Sequence, residues 1–557
     1  MNVTVPQSGP PLRPAVAAAP PRAERPARAH WFLLLFVGAF LCIGITQGEH
    51  HFFIDEQRHA FTGVFFRDAY VDQPFENPRR YALDYFAKYP ALGLAHWPPL
   101  FHMVEGLFFL VFGISVLTSR LVIVAYALVG VYFWYRLAEK HGPRRRALLS
   151  MLIFPLVPYI LLYERVVMLE IPLLTMCIVT LYYWHTFLET NRSPHLWAVA
   201  LLSAAALLTS QKAVFLVVFI LIHFLVERRF RLLLRWDLWL ALLVTVPVVY
   251  LWYSFSFRAM ALTVERVTGD SPRQSLQYLQ YLIYPYLLPR QLGGLLTILG
   301  VAGLLWAMAR AARRYTFFIV WVFATYLCFT LIQEKDLRHT MIWIPAFVYF
   351  AVYAIEELCQ RRRWALLLCG ALVLKVIWGA WHYDRPRFGG MEEVARYVLA
   401  RPESDVIYYQ GPMNGNFIFF ARALDPEKKR VIAREKQVAV TRINRAFGTR
   451  QVLTNTDEVI HFFRTWGIRY AVIENVDFGP DLSLMRQTLA KGPFVVDREF
   501  PIWTNRTQWL GRKATVYRFT EDLRRTEGEV SVPMMTLTND IEIRLSQLAG
   551  KPWPPKN

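Results

Sequence analysis

The chain has 557 residues, of which 55% are hydrophobic and 15% aromatic, and its formal net charge at pH 7 is +20. This composition is too apolar for an ordinary water-soluble enzyme and predicts a protein that crosses the membrane many times. Much of the positive charge lies in short clusters between apolar segments, which indicates membrane topology rather than nucleic-acid binding. The five cysteines lie within or at the end of apolar segments, so no disulfide framework is implied.

The N-terminal segment, residues 1–30, is rich in Pro and Ala and carries several arginines just ahead of the first apolar run. We expect a disordered cytoplasmic tail followed by an uncleaved membrane anchor, because no small-residue cleavage site closes that run.

Eleven apolar runs are long enough, or nearly long enough, to cross a bilayer. They lie at about 31–47, 118–138, 147–163, 171–188, 196–210, 213–227, 238–256, 292–310, 315–332, 339–357 and 364–381. With the basic N-terminus inside, their parity puts four Arg-rich loops on the cytoplasmic side, at 136–146, 228–235, 310–314 and 361–363. The runs 196–210 and 213–227 could form one kinked helix, but the charge pattern favours two.

The same parity puts the other connections outside, including a long first external loop over 48–117. Within this loop, the segment 98–113 is predicted to lie flat at the interface as an amphipathic helix. Charged residues at the outer helix ends suggest a common site at the membrane–water boundary, although each could instead snorkel or cap a helix. They are Asp55, Glu56, Glu170, Lys212, Lys335, Asp336 and Arg338.

The composition changes after the last apolar run. Residues 390–525 predict a soluble extracytoplasmic α/β domain, with helices near 391–399 and 457–466 and strands near 405–409, 470–474 and 514–519. The tail over 526–557 predicts no particular fold. The domain has no Gly-rich phosphate loop, zinc spacing or Ser-His-Asp order, so its expected role is binding or shielding rather than chemistry.

Carboxylates and cations that converge at the outer interface suit the transfer of a group from a lipid phosphate to a hydroxyl. The carboxylate takes the acceptor proton, and the cations hold the phosphate as it leaves with its charge. No cytoplasmic nucleotide is needed for such a reaction.

Five segments of the sequence carry a family resemblance. They are 55–60 (DEQRHA), 96–102 (HWPPLFH), 168–173 (MLEIPL), 208–212 (LTSQK) and 334–339 (EKDLRH) followed by Ile344-Pro345. In the order of these segments and in the side of the membrane on which they are expected, the chain resembles the GT-C class of polytopic glycosyltransferases. The resemblance is in particular to bacterial relatives of the aminoarabinose transferases and of the protein O-mannosyltransferases (glycosyltransferase family 39). The resemblance covers most of residues 31–381 and implies a transmembrane catalytic domain there.

The resemblance implies inverting transfer of a sugar from a polyprenyl-phosphate carrier, with Asp55 as the general base. Glu56 is then a second acceptor-side carboxylate or a structural one. Glu170 stands where the family more often has Asp, which makes its part as a second acidic residue less direct. Lys212, Lys335 and Arg338 are the expected ligands of the donor phosphate.

The resemblance further implies a bacterial inner membrane, a site on the periplasmic face, and a lipid, glycan or protein acceptor with a free hydroxyl. The lipid-linked sugar is the donor substrate; no cofactor is certain from the sequence, and the need for a divalent metal is left open. His96 and His102 are weak candidates for a divalent metal, since no tight ligand spacing supports them and interfacial packing explains them better. Tyrosines in the outer loop 257–291 could cover a lipid-facing cavity or serve as interfacial anchors.

Two other classes of function remain open at this level. A transporter or flippase of lipid-linked sugars could use the same cations to hold phosphate, although the sequence has no inverted repeat or midplane helix break typical of transporters. A non-catalytic membrane scaffold would instead tolerate the loss of Asp55 or Arg338.

Overall fold

The computed structural model describes residues 28–50, 54–93, 95–259, 279–332, 335–359, 361–435, 440–442, 449–476, 483–532 and 541–554. The predicted disordered tail lies outside these residues except for its last three positions. Tyr278 of the predicted covering loop and Glu334 of the last motif also lie outside them.

Between residues 28 and 381 the described part of the chain is mainly helical. Its helices are α1 Ala29–Cys42, α2 Ile54–Asp72, α3 Pro78–Lys88, α4 Leu100–Phe112, α5 Val116–His141, α6 Arg144–Leu156, α7 Pro158–Tyr163, α8 Glu170–Thr190, α9 Ser193–Leu207, α10 Val214–Val226, α11 Trp236–Ala259, α12 Leu279–Leu292, α13 Gly294–Thr330, α14 Ile344–Leu358 and α15 Arg362–Trp381. Short 3-10 turns lie at Gln211–Ala213, Phe230–Leu234 and Leu337–Trp343.

Among the described residues, six helical segments are long and apolar enough to cross a membrane. They are Val116–His141, Glu170–Thr190, Trp236–Arg258, Gly294–Thr330, Leu337–Leu358 and Arg362–Trp381. The apolar helices α1, α4 and α9 and the segment Gln211–Val226 are shorter. The chain therefore has a bundle of membrane helices, and α4 is the short helix expected within the first external loop.

Three of the predicted spans have a different form in the structure. The run 147–163 is divided between α6 and α7, because Val157 leaves the helical conformation at φ −59° and ψ 125° and Pro158 begins a new helix. The runs 292–310 and 315–332 together form α13, which is interrupted at Ala311 with φ −143° and ψ 30°. That kink lies inside the Arg-rich segment predicted to separate the two runs.

The pair of runs at 196–210 and 213–227 forms two helices, as the charge pattern favours. Between α9 and α10, Ser210 is extended at φ −159° and ψ 141°, and the 3-10 turn Gln211–Ala213 follows. This turn places Lys212 at a helix junction instead of inside a continuous helix.

The strands of the C-terminal domain are β1 Phe388–Gly389, β2 Val406–Gln410, β3 Val431–Arg434, β4 Val440–Arg442, β5 Thr449–Gln451, β6 Ile468–Glu474, β7 Phe494–Pro501, β8 Trp503–Thr504 and β9 Lys513–Phe519. Five of them form a mixed sheet in the order β3-β2-β6-β9-β7. Strands β3, β2 and β6 are parallel, and β9 runs antiparallel to both β6 and β7. The helices α16 Met391–Leu399, α17 Asn414–Ala423, α18 Thr456–Trp466 and α19 Ser483–Lys491 complete it, which confirms the predicted α/β class.

The tail after this sheet is ordered where it is described. It forms the hairpin of β10 Glu529–Val532 with β11 Ile541–Arg544, followed by the short helix α20 Leu545–Leu548. The tail packs on α3: Lys88 donates to the carbonyl of Leu548, and the ring of Trp553 stacks on Tyr81 at 4.8 Å between centroids. The tail thus ties the C-terminal domain to the first external loop.

Buried polar contacts fix the C-terminal domain on α2. Arg422 of α17 forms two 2.7 Å bonds with the carboxylate of Asp68, and both side chains are almost fully buried. Near the start of α2, Gln57 accepts the backbone N–H of Asn416 at 3.2 Å. The domain therefore contacts α2 near both of its ends.

Candidate active site

Two buried arginines hold the segment 44–49, which follows α1. Arg120 of α5 donates to the carbonyls of Ile45, Gln47, Gly48 and Glu49 at 2.7 to 3.1 Å. Arg385, just after α15, donates to the carbonyls of Gly44 and Gln47. Because a buried guanidinium needs such acceptors, both contacts constrain the entry into α2 and hence the position of its first turn.

Asp55 lies in this first turn, with its side chain 38% exposed. Its Oδ2 lies 3.8 Å from Nη1 of Arg338, which is too long for a hydrogen bond but close enough for attraction between the charges. Asp55 is therefore an accessible carboxylate beside a fixed cation.

Glu170 lies in the first turn of α8, and its side chain is only 4% exposed. Its Oε1 accepts a 3.0 Å hydrogen bond from Nζ of Lys212 and lies 3.9 Å from Nη1 of Arg338. We refer to Asp55, Glu170, Lys212 and Arg338 as the charged cluster. The cluster brings together four places that are distant in the sequence. They are the first turns of α2 and α8, the junction between α9 and α10, and the 3-10 turn between α13 and α14.

Asp336 fixes the direction of the Arg338 side chain. Its Oδ1 accepts the backbone N–H of Arg338 at 2.8 Å and so caps the 3-10 turn, while its Oδ2 accepts Nε of the same residue at 2.8 Å. The guanidinium is held along one edge, and Nη1 is directed between Asp55 and Glu170.

Glu56 occupies a different environment from its neighbour. It is 1% exposed, its Oε1 accepts the backbone N–H of Val167 at 3.2 Å, and it lies near the charges of Arg120 and Arg385. These contacts connect α2 to the segment that leads into Glu170. Of the two roles left open for Glu56, the geometry supports the structural one.

Lys335 is not joined to the charged cluster by the contacts of the described residues. Its Nζ donates to the carbonyls of Phe329, Thr330 and Ile332 at the end of α13, and it lies 5.8 Å from the ring centroid of Tyr284. In this arrangement the ammonium caps a helix end, so a contact with substrate phosphate requires the side chain to reorient.

The two histidines considered as metal ligands have other partners. Nε2 of His102 lies 2.9 Å from Nδ1 of His59, and the ring of His96 packs edge-on against Trp97. Across the described ranges, no group of three or more His, Cys, Asp or Glu side chains is arranged to hold a metal ion.

Sequence reasoning did not single out two residues beside the cluster, Arg58 and His59. Both follow Asp55 on α2, at three and four residues, which places them near the same helix face. Burial lowers the pKa of Arg58, and the nearby Asp55 carboxylate opposes that shift. This helical spacing is a signal present in the sequence.

Residues 96–253 match the family model described as dolichyl-phosphate-mannose-protein mannosyltransferase. Over most of the chain the fold is the GT-C fold of polytopic membrane proteins, which confirms the fold that the sequence predicts.

Two solved structures show this fold over most of the chain. The apo form of ArnT from Cupriavidus metallidurans is 14% identical, with a TM-score of 0.58 over 87% of this chain and 97% of that one. The form of the same protein bound to undecaprenyl phosphate is 16% identical, with a TM-score of 0.55 over 88% of this chain and 98% of that one. No curated protein matches the chain in sequence.

Proposed function

We propose that the protein transfers a sugar from a polyprenyl-phosphate carrier to an acceptor hydroxyl with inversion at the anomeric carbon. The observation that carries this proposal is the charged cluster. In it the accessible carboxylate of Asp55 lies 3.8 Å from the guanidinium of Arg338, a group that commonly binds phosphate.

In this reaction Asp55 accepts the proton of the acceptor hydroxyl as its oxygen attacks the anomeric carbon. A new carbon–oxygen bond forms to the acceptor, and the bond between the anomeric carbon and the phosphate oxygen breaks. The polyprenyl phosphate leaves with both bonding electrons. Because the entering oxygen and the leaving phosphate lie on opposite sides of that carbon, the configuration inverts.

Arg338 and Lys212 stabilise the charge that develops on the leaving phosphate. Arg338 can present two N–H groups to one phosphate, whereas Lys212 acts as a point charge. Glu170 is buried against both cations, so we assign it the role of holding them in place rather than accepting the acceptor proton.

An apolar groove supports a lipid-linked donor. A cavity of about 610 Å³ lies among α8, α9, α10 and α11 and is lined almost entirely by apolar side chains. Near one end, Tyr253 donates to the carbonyl of Leu207, at the end of α9 that leads to Lys212. A polyprenyl chain in this groove would lie on the side of the bundle that carries the cationic phosphate ligand. The lipid bound to ArnT in the second of the two similar structures is undecaprenyl phosphate, which agrees with this class of donor.

The proposed setting is the bacterial inner membrane, with the charged cluster and the C-terminal domain on the periplasmic side. The sidedness of the Arg-rich loops in the sequence supports this orientation. The acceptor is a hydroxyl on a lipid, glycan or protein at that face. A flippase would not need an accessible carboxylate beside the phosphate ligands, so the exposure of Asp55 favours the enzyme.

The test is transfer of radiolabelled sugar from a panel of polyprenyl-phosphate donors by membranes that contain wild-type protein or Asp55→Asn. The substitution keeps the shape of the side chain but removes the base, and we expect transfer to fall by about 10² to 10⁴-fold. Binding of the carrier should persist. The matched control is Asp522→Asn, at an exposed aspartate of the C-terminal domain.

Transfer by Asp55→Asn at the wild-type rate would remove Asp55 from the mechanism. If the wild type consumes no donor in the panel but moves labelled carrier across the bilayer, the protein is a flippase. Equal carrier binding with neither activity would support the scaffold.

A further inference from the structure

A second cavity, of about 650 Å³, lies between the C-terminal domain and the ends of helices α1 and α5. One wall comes from the segment that follows α1 and from the first residues of α5, and the other from α16, the end of α17 and the strand β8. Its volume is typical of pockets that hold small ligands. No residue of the charged cluster is among the described residues that line it, so this pocket is separate from the proposed reaction site.

An exposed indole forms part of the C-terminal wall. Trp503 of β8 is paired with Gly389 of β1, lines the cavity and is 51% exposed. A Cβ atom at Gly389 would lie 2.2 Å from Cε2 and Cζ2 of the indole, so the ring packs directly against the glycine backbone. The glycine gives the ring a fixed support, and the exposed remainder of the ring is available to a ligand. Among aromatic side chains, tryptophan attracts cations most strongly.

The same wall carries a carboxylate without a partner. Glu392 and Glu393 lie in the first turn of α16, and both line the cavity. Three N–H groups at the start of this helix are already donated to Glu49. Glu392 is paired with Arg396 at 2.8 Å, whereas Glu393 forms neither a hydrogen bond nor an ion pair within the described part of the chain. The exposed Glu393 therefore gives the pocket an unbalanced negative charge, although the chain carries a net charge of +20.

The opposite wall includes apolar residues at the start of a membrane helix. Ile114, Val116 and Leu117 line the cavity where α5 begins. The preceding Val111 and Phe112, at the end of α4, are exposed apolar side chains. The end of a membrane helix lies where lipid headgroups meet acyl chains, and exposed apolar side chains at that level contact lipid. The pocket is therefore placed to receive a molecule from the bilayer.

We propose that this pocket binds a phospholipid whose headgroup ends in an ammonium group, such as ethanolamine. The ammonium lies over the indole of Trp503 and close to the carboxylate of Glu393, and the acyl chains follow the apolar wall at the start of α5. Charge complementarity favours this headgroup over an anionic one such as phosphatidylglycerol, because Glu393 repels a lipid with a net negative charge. The inference goes beyond the proposed function and does not depend on it.

The test measures occupancy of this pocket alone. Full-length protein in detergent is mixed with phosphatidylethanolamine that carries a photoactivatable acyl chain, and covalent labelling within residues 111–117 is measured by mass spectrometry after irradiation. Unlabelled phosphatidylethanolamine and phosphatidylglycerol with the same acyl chains then compete for the site. We expect phosphatidylethanolamine to displace the label at a concentration about tenfold lower than phosphatidylglycerol does.

Variants of the carboxylate and of the indole identify the two contacts. Glu393→Gln and Trp503→Leu should each weaken binding of phosphatidylethanolamine at this site by about tenfold, while Trp503→Phe, which keeps an aromatic ring, should lose less. Glu393→Lys should reverse the preference, so that phosphatidylglycerol competes better. The matched control is Glu527→Gln, at an exposed glutamate of the C-terminal tail outside the cavity, which should bind as the wild type does.

Equal competition by the two lipids in the wild type, or unchanged labelling in Glu393→Gln, would overturn the inference. Soluble phosphoethanolamine that competes as well as the whole lipid would show that the pocket takes a free headgroup and that the apolar wall has no part in binding. Competition by soluble glycans but not by phosphatidylethanolamine would identify a carbohydrate site instead. No sugar donor is present in these measurements, so their failure leaves the proposed transfer reaction untouched, and lipid binding without transfer would count against that reaction alone.

Discussion

The two ends of helix α2 use the same residue type for opposite purposes. Near its C-terminal end, Asp68 is fully buried and receives two 2.7 Å bonds from Arg422 and a third from the Tyr85 hydroxyl. At its N-terminal end, Asp55 is 38% exposed and only approaches Arg338, at 3.8 Å. One aspartate has a nearly complete set of partners, and the other retains room for a ligand.

The arginines at the two ends differ in the number of carboxylates that each one contacts. Arg422 is committed to a single carboxylate, which lowers the pKa of Asp68 despite the opposing effect of burial. Arg338 is hydrogen-bonded to Asp336 on one edge, and its Nη1 lies 3.8 Å from Asp55 and 3.9 Å from Glu170. A long, shared contact is easily rearranged when phosphate arrives, whereas a buried bidentate pair is not. The C-terminal end of α2 therefore anchors the domain, and its N-terminal end is the one that binds substrate in the proposed function.

The largest expected effect is at the anchored end. Asp68→Asn leaves the Arg422 guanidinium buried without its counter-charge, so we expect a loss of about 3 to 5 kcal/mol in the free energy of unfolding. Denaturation of the detergent-solubilised protein measures it. The control is the double variant Asp68→Leu with Arg422→Met, which removes both charges and should recover much of the loss. Unchanged stability in Asp68→Asn would remove the contrast between the two ends.

At the N-terminal end of α2 we expect a substitution to change activity strongly and stability little. Arg338→Lys keeps a positive charge but loses the bidentate geometry, and transfer should fall by about 10²-fold. The free energy of unfolding should change by no more than about 1 kcal/mol, because the bonds to Asp336 that are lost are partly exposed to solvent. Arg396→Lys, at an exposed arginine of α16, is the matched control. A large loss of stability in Arg338→Lys would show that this end is an anchor too.

The C-terminal tail extends the anchored region to α3. Trp553 is 6% exposed and stacks on Tyr81, so Trp553→Leu should cost about 2 kcal/mol in the free energy of unfolding. The effect is measured by the same denaturation experiment, with Leu510→Ala, an exposed position, as the comparison. If both variants have wild-type stability, the tail makes no energetic contribution to the anchor.

A further expected effect concerns the pH dependence of the domain contact. Glu49 accepts the backbone N–H groups of Gly390, Met391 and Glu392 at the start of α16, and burial raises its pKa to about 7 from an ordinary 4.5. Because the folded state holds this proton more tightly than the unfolded one, the contribution of Glu49 to stability is complete below pH 4.5 and is lost as the pH rises through about 7.

We therefore expect the stability of the wild type to fall more steeply over this range than that of Glu49→Gln, which cannot titrate. Unfolding at several pH values in both proteins measures the difference. Parallel curves would show that Glu49 keeps the same charge in the folded and unfolded states.

Part of the site follows from the sequence because it depends on helix ends. Asp55, Glu170, Lys212 and Arg338 each lie at the end of an apolar run, and the parity of those runs puts all four at one end of the bundle. In the structure the side chains of these four residues lie close together. Glu56 and Lys335 satisfy the same criterion, yet they bond to backbone groups away from the cluster. Parity specifies the end of the bundle at which a residue lies, but it does not specify the direction of its side chain.

The membrane class, most helix positions, the α/β character of the C-terminal domain and the set of charges from which the site is drawn can all be predicted from the amino-acid sequence. These features follow from local hydropathy, residue periodicity and charge placement, which need no knowledge of distant contacts. Three others become visible only in the folded chain: the anchoring of α2 through Arg422, the orientation of Arg338 by Asp336, and the contact of His59 with His102.

The Arg422 and His102 contacts join residues 354 and 43 positions apart, and the meeting of Arg338 with Asp55 and Glu170 is likewise long-range. Side chains so far apart in the chain are brought together by the packing of whole helices and domains rather than by any local pattern.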